Sequence, residues 1–138
     1  MFKTVLFPID QTRESRHAAD LVANIVKTYN SSLTILAVVE PASGGEAEGD
    51  AKSPMQSEEA IAKLLDGARQ MFSGQGVEAK TMHREGKPAF VICDVADDIN
   101  ADLIIMGSHG VDMAEGNIGD SVSDRVINLS PCPVLIVP

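Results

Sequence analysis

Residues Ala101 to Gly110 have the sequence ADLIIMGSHG, a short apolar run that passes directly into a glycine-rich segment. An apolar run of this length is typical of a strand buried on both faces of a parallel sheet. The glycine-rich segment extends from Gly107 to Asp120, and the pattern beyond it predicts a short helix over Ser121 to Leu129. A last apolar run, Cys132 to Val137 (CPVLIV), predicts a final strand. This part of the chain therefore predicts a strand, a helix and another strand in succession.

The same alternation of apolar runs and helical periods extends back to the amino terminus. Strands are predicted in the short runs Lys3 to Ile9, Leu33 to Val39 and Val77 to Met82. Helices are predicted where apolar residues recur three and four positions apart. Their apolar stripes are Ala18, Leu21, Val22, Ile25, Val26 and Tyr29; Ile61, Leu64, Leu65, Ala68 and Phe72; and Ile92, Val95, Ala96 and Ile99. Pro41 to Gln56 has neither pattern and predicts a mobile loop. The alternation predicts an α/β fold, a doubly wound parallel sheet with helices on both faces.

The size and charge of the chain restrict its function. A length of 138 residues is that of one domain, and we treat residues 1–138 as a single unit. The apolar runs are far shorter than the roughly 20 residues of a membrane span, and no secretory leader is visible, so we expect a soluble cytoplasmic protein. A formal charge of −9 disfavours binding to nucleic acid or to anionic membranes. Cys93 and Cys132 have no metal-ligand spacing, and we expect reduced thiols with structural roles.

A ligand site is expected where two of the predicted strands end. In a doubly wound sheet, ligands bind beyond the carboxyl ends of the strands, at the point where the winding reverses. The first strand leads into Asp10, and the fourth leads through the glycine-rich segment to the helix that starts at Ser121. Glycines let a backbone approach a ligand closely, and a helix N-terminus offers unpaired N–H groups, a combination that suits phosphate. Ser121 and Ser123 could donate hydroxyls, and Asp10 could accept hydrogen bonds from a ribose or a base.

A second interpretation of the same segment stays open. It matches neither the GxxxxGK[ST] nor the GxGxxG pattern, and it has no Lys or Arg between Gly107 and Asp120. Its glycines could merely supply turn geometry, and Ser121 could merely cap the following helix.

Four segments resemble the universal stress protein family in that family's order and spacing. They are FKTVLFPID (2–10), LTILAVVEP (33–41), ADLIIMGSHG (101–110) and residues 121–137. Nucleotide-binding members of the family carry a glycine, two residues, a second glycine, nine residues, and then a glycine followed by Ser or Thr. Gly107, Gly110 and Ser121 match this motif, whereas Asp120 occupies the third glycine position and a glycine is displaced to Gly119. The resemblance implies a five-stranded sheet of order 3-2-1-4-5.

The resemblance also implies a site for ATP or AMP, with or without Mg²⁺. The residues that match the family's adenine and ribose contacts are Pro8, Ile9 and Asp10, and Val38 packs on the base. The residues that match its ribose and phosphate contacts are Met106, Gly107, Gly110, Ser121, Val122 and Ser123, with Gly119 as the displaced glycine. The final strand, 133–137, is implied to pair with its twin in a second copy and so to form a homodimer.

Asp120 is the main departure from the family's motif. A carboxylate about 4 Å from a phosphate costs on the order of 4 kcal/mol at an effective dielectric constant near 20, enough to weaken binding about a thousandfold. Three arrangements would avoid this cost. Mg²⁺ could bridge the carboxylate to the phosphates, the loop could shift so that Gly119 takes the glycine position, or the carboxylate could turn back onto the helix N–H groups.

Three functions are compatible with the sequence. The first is a dimeric, adenine-nucleotide-binding regulator of the stress response that acts on a partner protein without rapid turnover. The alternative is a dimeric interaction module of the same fold that does not bind ATP because Asp120 replaces the motif glycine. The third, a slow ATPase or phosphotransferase, needs a positioned base and a cationic clamp, and the loop has no Lys or Arg to supply the clamp.

Overall fold

The structure is a computed structural model that describes residues 1–10, 13–39, 58–108 and 122–138. Its strands are β1 Thr4–Ile9, β2 Ser32–Val39, β3 Ala79–Glu85, β4 Leu103–Gly107 and β5 Val134–Val137. Its helices are α1 Arg13–Tyr29, α2 Glu58–Gly74, α3 Pro88–Asp98 and α4 Val122–Leu129. The strands pair in parallel and form one sheet of order β3-β2-β1-β4-β5, which confirms the predicted fold class and strand order. The loop expected at 41–56 lies outside the described residues, and the treatment of the chain as one domain stays a prediction.

The side chains of the sheet alternate between two cores, one on each face. Along β1, Val5 and Phe7 pack into a first core with α1 and α2, whereas Leu6 packs into a second core with α3 and α4. This alternation is the period-two geometry of a strand. The central strands are apolar on both sides because helices cover both faces. The helices after β1 and β2 lie on one face and those after β3 and β4 on the other, so the winding reverses between β1 and β4.

The buried stripe of α1 differs from the predicted one. Leu21 and Tyr29 are 37% and 44% exposed, whereas Ala19 and Ala23 are buried. The two alanines are small enough for the helix to lie close to the sheet. With the alanines facing the sheet, Leu21 lies at the side of the helix, where solvent reaches it. Tyr29 instead packs edge-on against Phe2, with the ring centroids 5.2 Å apart. The predicted apolar stripe of α1 is therefore only partly buried, since Leu21 and Tyr29 lie at its exposed margin.

The observed strand bounds also differ from the predicted ones at the sheet edges. β3 starts at Ala79 and runs past Met82 to Glu85, because it pairs with β2 up to the pair Val39↔Glu85. Its side chains are mostly exposed, and its charged residues keep this edge from pairing with other strands. β5 starts at Val134, after a turn at residues 130–132. In this turn the Ser130 hydroxyl accepts a hydrogen bond from the Cys132 N–H (3.1 Å) and donates one to the Cys132 carbonyl (2.7 Å).

Hydrogen bonds of Asp102 join the amino end of β4 to the amino end of β1. Its carboxylate oxygen Oδ2 accepts hydrogen bonds from the backbone N–H groups of Lys3 and Thr4, at 2.9 and 3.0 Å. Its own N–H donates to the Thr4 carbonyl at 2.7 Å. A carboxylate that accepts backbone N–H groups makes a charge-assisted hydrogen bond, which is stronger than a neutral one. Asp102 therefore closes one end of the seam between β1 and β4.

We expect Asp102→Ala to lower the free energy of unfolding by about 1.5 to 3 kcal/mol, since two N–H groups lose a charged acceptor. Urea unfolding of the variant and the wild type measures the difference. Asp97→Ala is the matched control, because Asp97 is exposed in the last turn of α3, where a negative charge opposes the helix dipole. Equal unfolding midpoints for Asp102→Ala and Asp97→Ala would contradict the role given to Asp102.

Candidate functional site

The predicted site lies at the carboxyl ends of β1 and β4, the two strands between which the winding reverses. β1 ends at Ile9 and leads into the half-buried Asp10, and β4 ends at the half-buried Gly107. This edge of a doubly wound sheet is where ligands bind in such folds. The fold therefore brings Asp10 and Gly107, which are far apart in the chain, to the same edge of the sheet.

The predicted apolar contacts of the site lie on both faces of the sheet. Val38 and Met106 are each 7% exposed and belong to the second core, and the half-buried Val122 packs against that core. Ile9 is 8% exposed and belongs to the first core. Val38, Met106 and Val122 thus share one core, whereas the Ile9 side chain points to the other face. The backbone of Ile9, which ends β1, remains at the site edge.

Hydrogen bonds fix the start of α4 against the end of β4. The Ser108 N–H donates to the Val137 carbonyl at 2.9 Å and so continues the pairing of β4 with β5. The Ser123 hydroxyl donates to the Ser108 carbonyl at 3.2 Å, and Ser123 is only 6% exposed. The hydroxyl predicted to face a phosphate thus holds the first turn of α4 at the end of β4. Its assignment to a ligand stays a prediction.

The structure describes only part of the predicted site. Gly110, Gly119, Asp120 and Ser121 lie outside the described residues. Pro8, Ile9, Asp10, Val38, Met106, Gly107, Val122 and Ser123 lie inside them, and all belong to the carboxyl ends of β1, β2 and β4 or to the first turn of α4. The sequence did not indicate the contribution of the Ser108 carbonyl, because a backbone acceptor carries no residue-type signal.

Among residues 1–10, 13–39, 58–108 and 122–138, no three His, Cys, Asp or Glu side chains lie close enough to hold a metal ion. Within the same ranges, no helix is long and apolar enough to cross a membrane. A groove of about 520 Å³ lies at the opposite edge of the sheet, between the end of α1 and the starts of β2 and β3.

Both cysteines are free thiols; Cys93 lies in the second core and Cys132 packs against it. Burial raises the pKa of Cys93, and the nearby Asp94 carboxylate raises it further. Burial also raises the pKa of Cys132, against the opposite effect of the Ser130 hydroxyl. Because the thiolate is the nucleophile, thiols with a raised pKa are poor candidates for catalysis.

The raised pKa values predict slow alkylation of both thiols. A free cysteine has a pKa near 8.5. A thiol with a higher pKa has a smaller fraction of thiolate at the same pH, and the difference becomes small only when the pH exceeds both pKa values. At pH 8 we expect iodoacetamide to modify the folded protein much more slowly than the urea-unfolded chain, and the gap to narrow as the pH rises. Mass spectrometry of tryptic peptides follows each site, with the half-buried Cys132 reacting before Cys93. Equal rates in the folded and unfolded chains would contradict this assignment.

Comparison with known proteins places this geometry in one family. The chain matches the universal stress protein family over residues 1–138. It is 53% identical over 141 residues to the universal stress protein Sll1654 of Synechocystis, and the match covers 100% of this chain and 87% of that protein. A universal stress protein crystallised in complex with cAMP has a TM-score of 0.79 and 25% identity, with 99% of this chain and 97% of that chain covered. UspA from Lactobacillus plantarum also has a TM-score of 0.79, at 23% identity, with 99% and 98% covered, and supports the fold.

Proposed function

The chain belongs to the universal stress protein family, and from this premise we propose that it is an adenine-nucleotide-binding regulatory protein of the stress response. It takes ATP or AMP at the carboxyl edge of β1 and β4 and acts in the cytoplasm by binding, not by turnover. The observation that carries the proposal is the hydrogen bond from Ser123 to the Ser108 carbonyl, which holds the N-terminus of α4 beside the end of β4. A phosphate group at that point would lie at the positive end of the α4 helix dipole.

The shape of the edge fits the parts of an adenine nucleotide. The apolar side chains of Val38 and Met106, near the ends of β2 and β4, suit the flat face of a base. The Asp10 carboxylate suits the hydroxyls of a ribose, since it can accept two hydrogen bonds. Gly107 begins the segment that would pass close to the phosphates, with Gly110, Gly119 and Ser121 further along it. Pro8, Ile9, Val122 and Ser123 complete the set we assign to the site.

A solved relative supports the class of ligand. The universal stress protein that superposes on this chain with a TM-score of 0.79 was crystallised in complex with cAMP, which is an adenine nucleotide. Its identity of 25% over 99% of this chain makes a shared ligand class a reasonable starting point. Hydrolysis is a weaker proposal, because the segment from Gly107 to Asp120 has no Lys or Arg to neutralise charge on a transferring phosphoryl group.

Thermal unfolding with and without nucleotide tests the proposal. A ligand at about 100 times its dissociation constant stabilises the folded state by roughly 2.7 kcal/mol, which is several degrees in melting temperature for a domain of this size. We expect ATP and AMP to raise the melting temperature and GTP at the same concentration to have a smaller effect, each measured with Mg²⁺ and with EDTA. If no adenine nucleotide changes the melting temperature, the chain is an interaction module of the same fold and the proposal is wrong.

We also propose that β5 pairs with its twin in a second copy to form a homodimer. The carbonyls of Pro133 and Val137 face β4, since they accept the N–H groups of Ile104 (3.0 Å) and Ser108 (2.9 Å). The alternation of a strand turns the N–H and carbonyl groups of Val134 and Ile136 to the open edge. All four side chains of β5 are half-buried and apolar, so this edge lacks the charges that protect β3.

Ile136→Pro is expected to convert the dimer to a monomer. Proline has no N–H to donate across the open edge, so the pairing with the second copy is lost. The fold should persist, because proline is tolerated in an edge strand where its nitrogen faces away from the sheet. Sedimentation velocity measures the mass, and circular dichroism checks that the fold persists. Ile136→Val is the control because it keeps the N–H and most of the apolar surface. A dimer that survives Ile136→Pro would exclude pairing through β5.

A further inference from the structure

The seam between β1 and β4 is paired along only part of its length. The pairs between these strands are Val5↔Leu103 and Leu6↔Ile104. Both strands continue beyond them, β1 to Ile9 beside β2 and β4 to Gly107 beside β5. The β1–β4 ladder therefore stops while each strand still pairs with its other neighbour.

The hydrogen-bond pattern identifies the residue at which the ladder stops. The Lys3 carbonyl accepts the Ser32 N–H of β2, and the Thr4 carbonyl accepts the Asp102 N–H next to β4. Backbone groups alternate in direction along a strand, so position 8, like position 4, faces β4. On the other side, the Ile104 N–H donates to the Pro133 carbonyl next to β5, and the backbone of residue 105 therefore faces β1.

These two alternations bring the nitrogen of Pro8 opposite the Ile105 carbonyl. In the register of Leu6↔Ile104, the next hydrogen bond of the ladder would run from the N–H at position 8 to that carbonyl. Proline has no N–H, so this bond cannot form. A proline in the interior of a sheet is otherwise rare for this reason.

We propose that Pro8 is a positioning residue that ends the β1–β4 ladder and keeps the carboxyl ends of the two strands free for the nucleotide. This inference rests on the proposed function and assigns Pro8 a backbone role. At the amino end of the seam, Asp102 ties the strands together. At the carboxyl end, the ladder lacks the hydrogen bond from position 8 to the Ile105 carbonyl, two residues before Asp10 and Gly107. A ligand can then enter this end without first breaking that hydrogen bond.

The test compares replacements at position 8 that share a side chain and differ in the N–H. Pro8→Ala restores the N–H. Replacement of Pro8 by lactic acid, introduced by nonsense suppression, has the same methyl group and an ester in place of the amide. Amide hydrogen exchange at position 8 of Pro8→Ala reports on the ladder, and isothermal titration with AMP reports on the site. Asp102→Ala, at the other end of the seam, is the control for a purely structural effect.

We expect the amide at position 8 of Pro8→Ala to be protected from exchange and AMP to bind about tenfold more weakly, since entry now breaks one hydrogen bond. The lactic acid variant is expected to bind AMP more tightly than Pro8→Ala. Asp102→Ala is expected to lower stability and leave the affinity unchanged.

An unprotected amide at position 8 would overturn the inference, and so would equal affinities for Pro8→Ala and the lactic acid variant. Failure of the wild-type protein to bind AMP or ATP would instead overturn the proposed function. The hydrogen-exchange measurement needs no ligand, and it still decides whether Pro8 ends the ladder.

Discussion

Replacing Asp120 by glycine is expected to tighten the binding of ATP by up to about a thousandfold. The carboxylate occupies the position where nucleotide-binding relatives carry a glycine, two residues before α4 begins at Val122. One like-charge pair at about 4 Å costs on the order of 4 kcal/mol at an effective dielectric constant near 20, which corresponds to this factor. The gain should be larger for ATP than for AMP, because ATP brings more negative charge to the same point. Isothermal titration with both nucleotides measures the two affinities.

Two further variants separate the charge from the conformational freedom of glycine. Asp120→Asn removes the charge and keeps a side chain, so it should recover much of the gain. Asp112→Asn removes another acid of the same segment and serves as the matched control. If Mg²⁺ bridges Asp120 to the phosphates, Asp120→Gly will instead weaken binding in Mg²⁺ and have the opposite effect in EDTA. Unchanged affinity in both conditions would show that the carboxylate does not face the phosphates.

Much of the fold could be predicted because its signals are local. β2 and β4 are almost continuously apolar, as is typical of strands covered on both faces. The stripes predicted for α2 and α3 pack against the two cores, most of their residues buried and the rest partly buried. The end of α1 just before Asn30 was also predictable, since asparagine tolerates the positive φ of 53° found at that residue. The exposure of Leu21 was not, because it depends on how closely α1 approaches the sheet.

The site could be predicted only at the level of which segments meet. The strand ends at Asp10 and Gly107 follow from topology, since parallel strands bring their carboxyl ends to one edge. The hydrogen bond from Ser123 to the Ser108 carbonyl joins two elements across 15 positions, and no residue pattern specifies it. The same holds for the Asp102 carboxylate, which accepts hydrogen bonds from the N–H groups of Thr4 and Lys3, 98 and 99 positions away in the chain. Such contacts depend on three-dimensional placement, which single-residue propensities do not contain.

Gly86→Ala is expected to destabilise the fold by about 2 to 4 kcal/mol, which lowers the melting temperature by roughly 10 °C in a domain of this size. Gly86 connects β3 to α3 with a φ of 146°, a conformation that residues with a Cβ rarely adopt. Its N–H donates to the Val39 carbonyl at 2.9 Å, so the turn cannot relax without losing this hydrogen bond. A Cβ at this position would lie 2.8 Å from Cγ2 of Val91. Differential scanning calorimetry of the variant measures the loss.

Gly67→Ala is the matched control, and it is expected to change stability in the opposite direction. Gly67 lies inside α2, and a Cβ there would meet nothing within 4 Å, so alanine should stabilise the helix by about 0.5 to 1 kcal/mol. The double variant Gly86→Ala, Val91→Ala separates the two costs at position 86, since it removes the contact with Val91 and keeps the strained φ. If strain dominates, the loss of stability in the double variant will equal the sum of the losses in Val91→Ala and Gly86→Ala. If the contact dominates, the loss in the double variant will be smaller than that sum. A Gly86→Ala protein with the melting temperature of the wild type would exclude both costs.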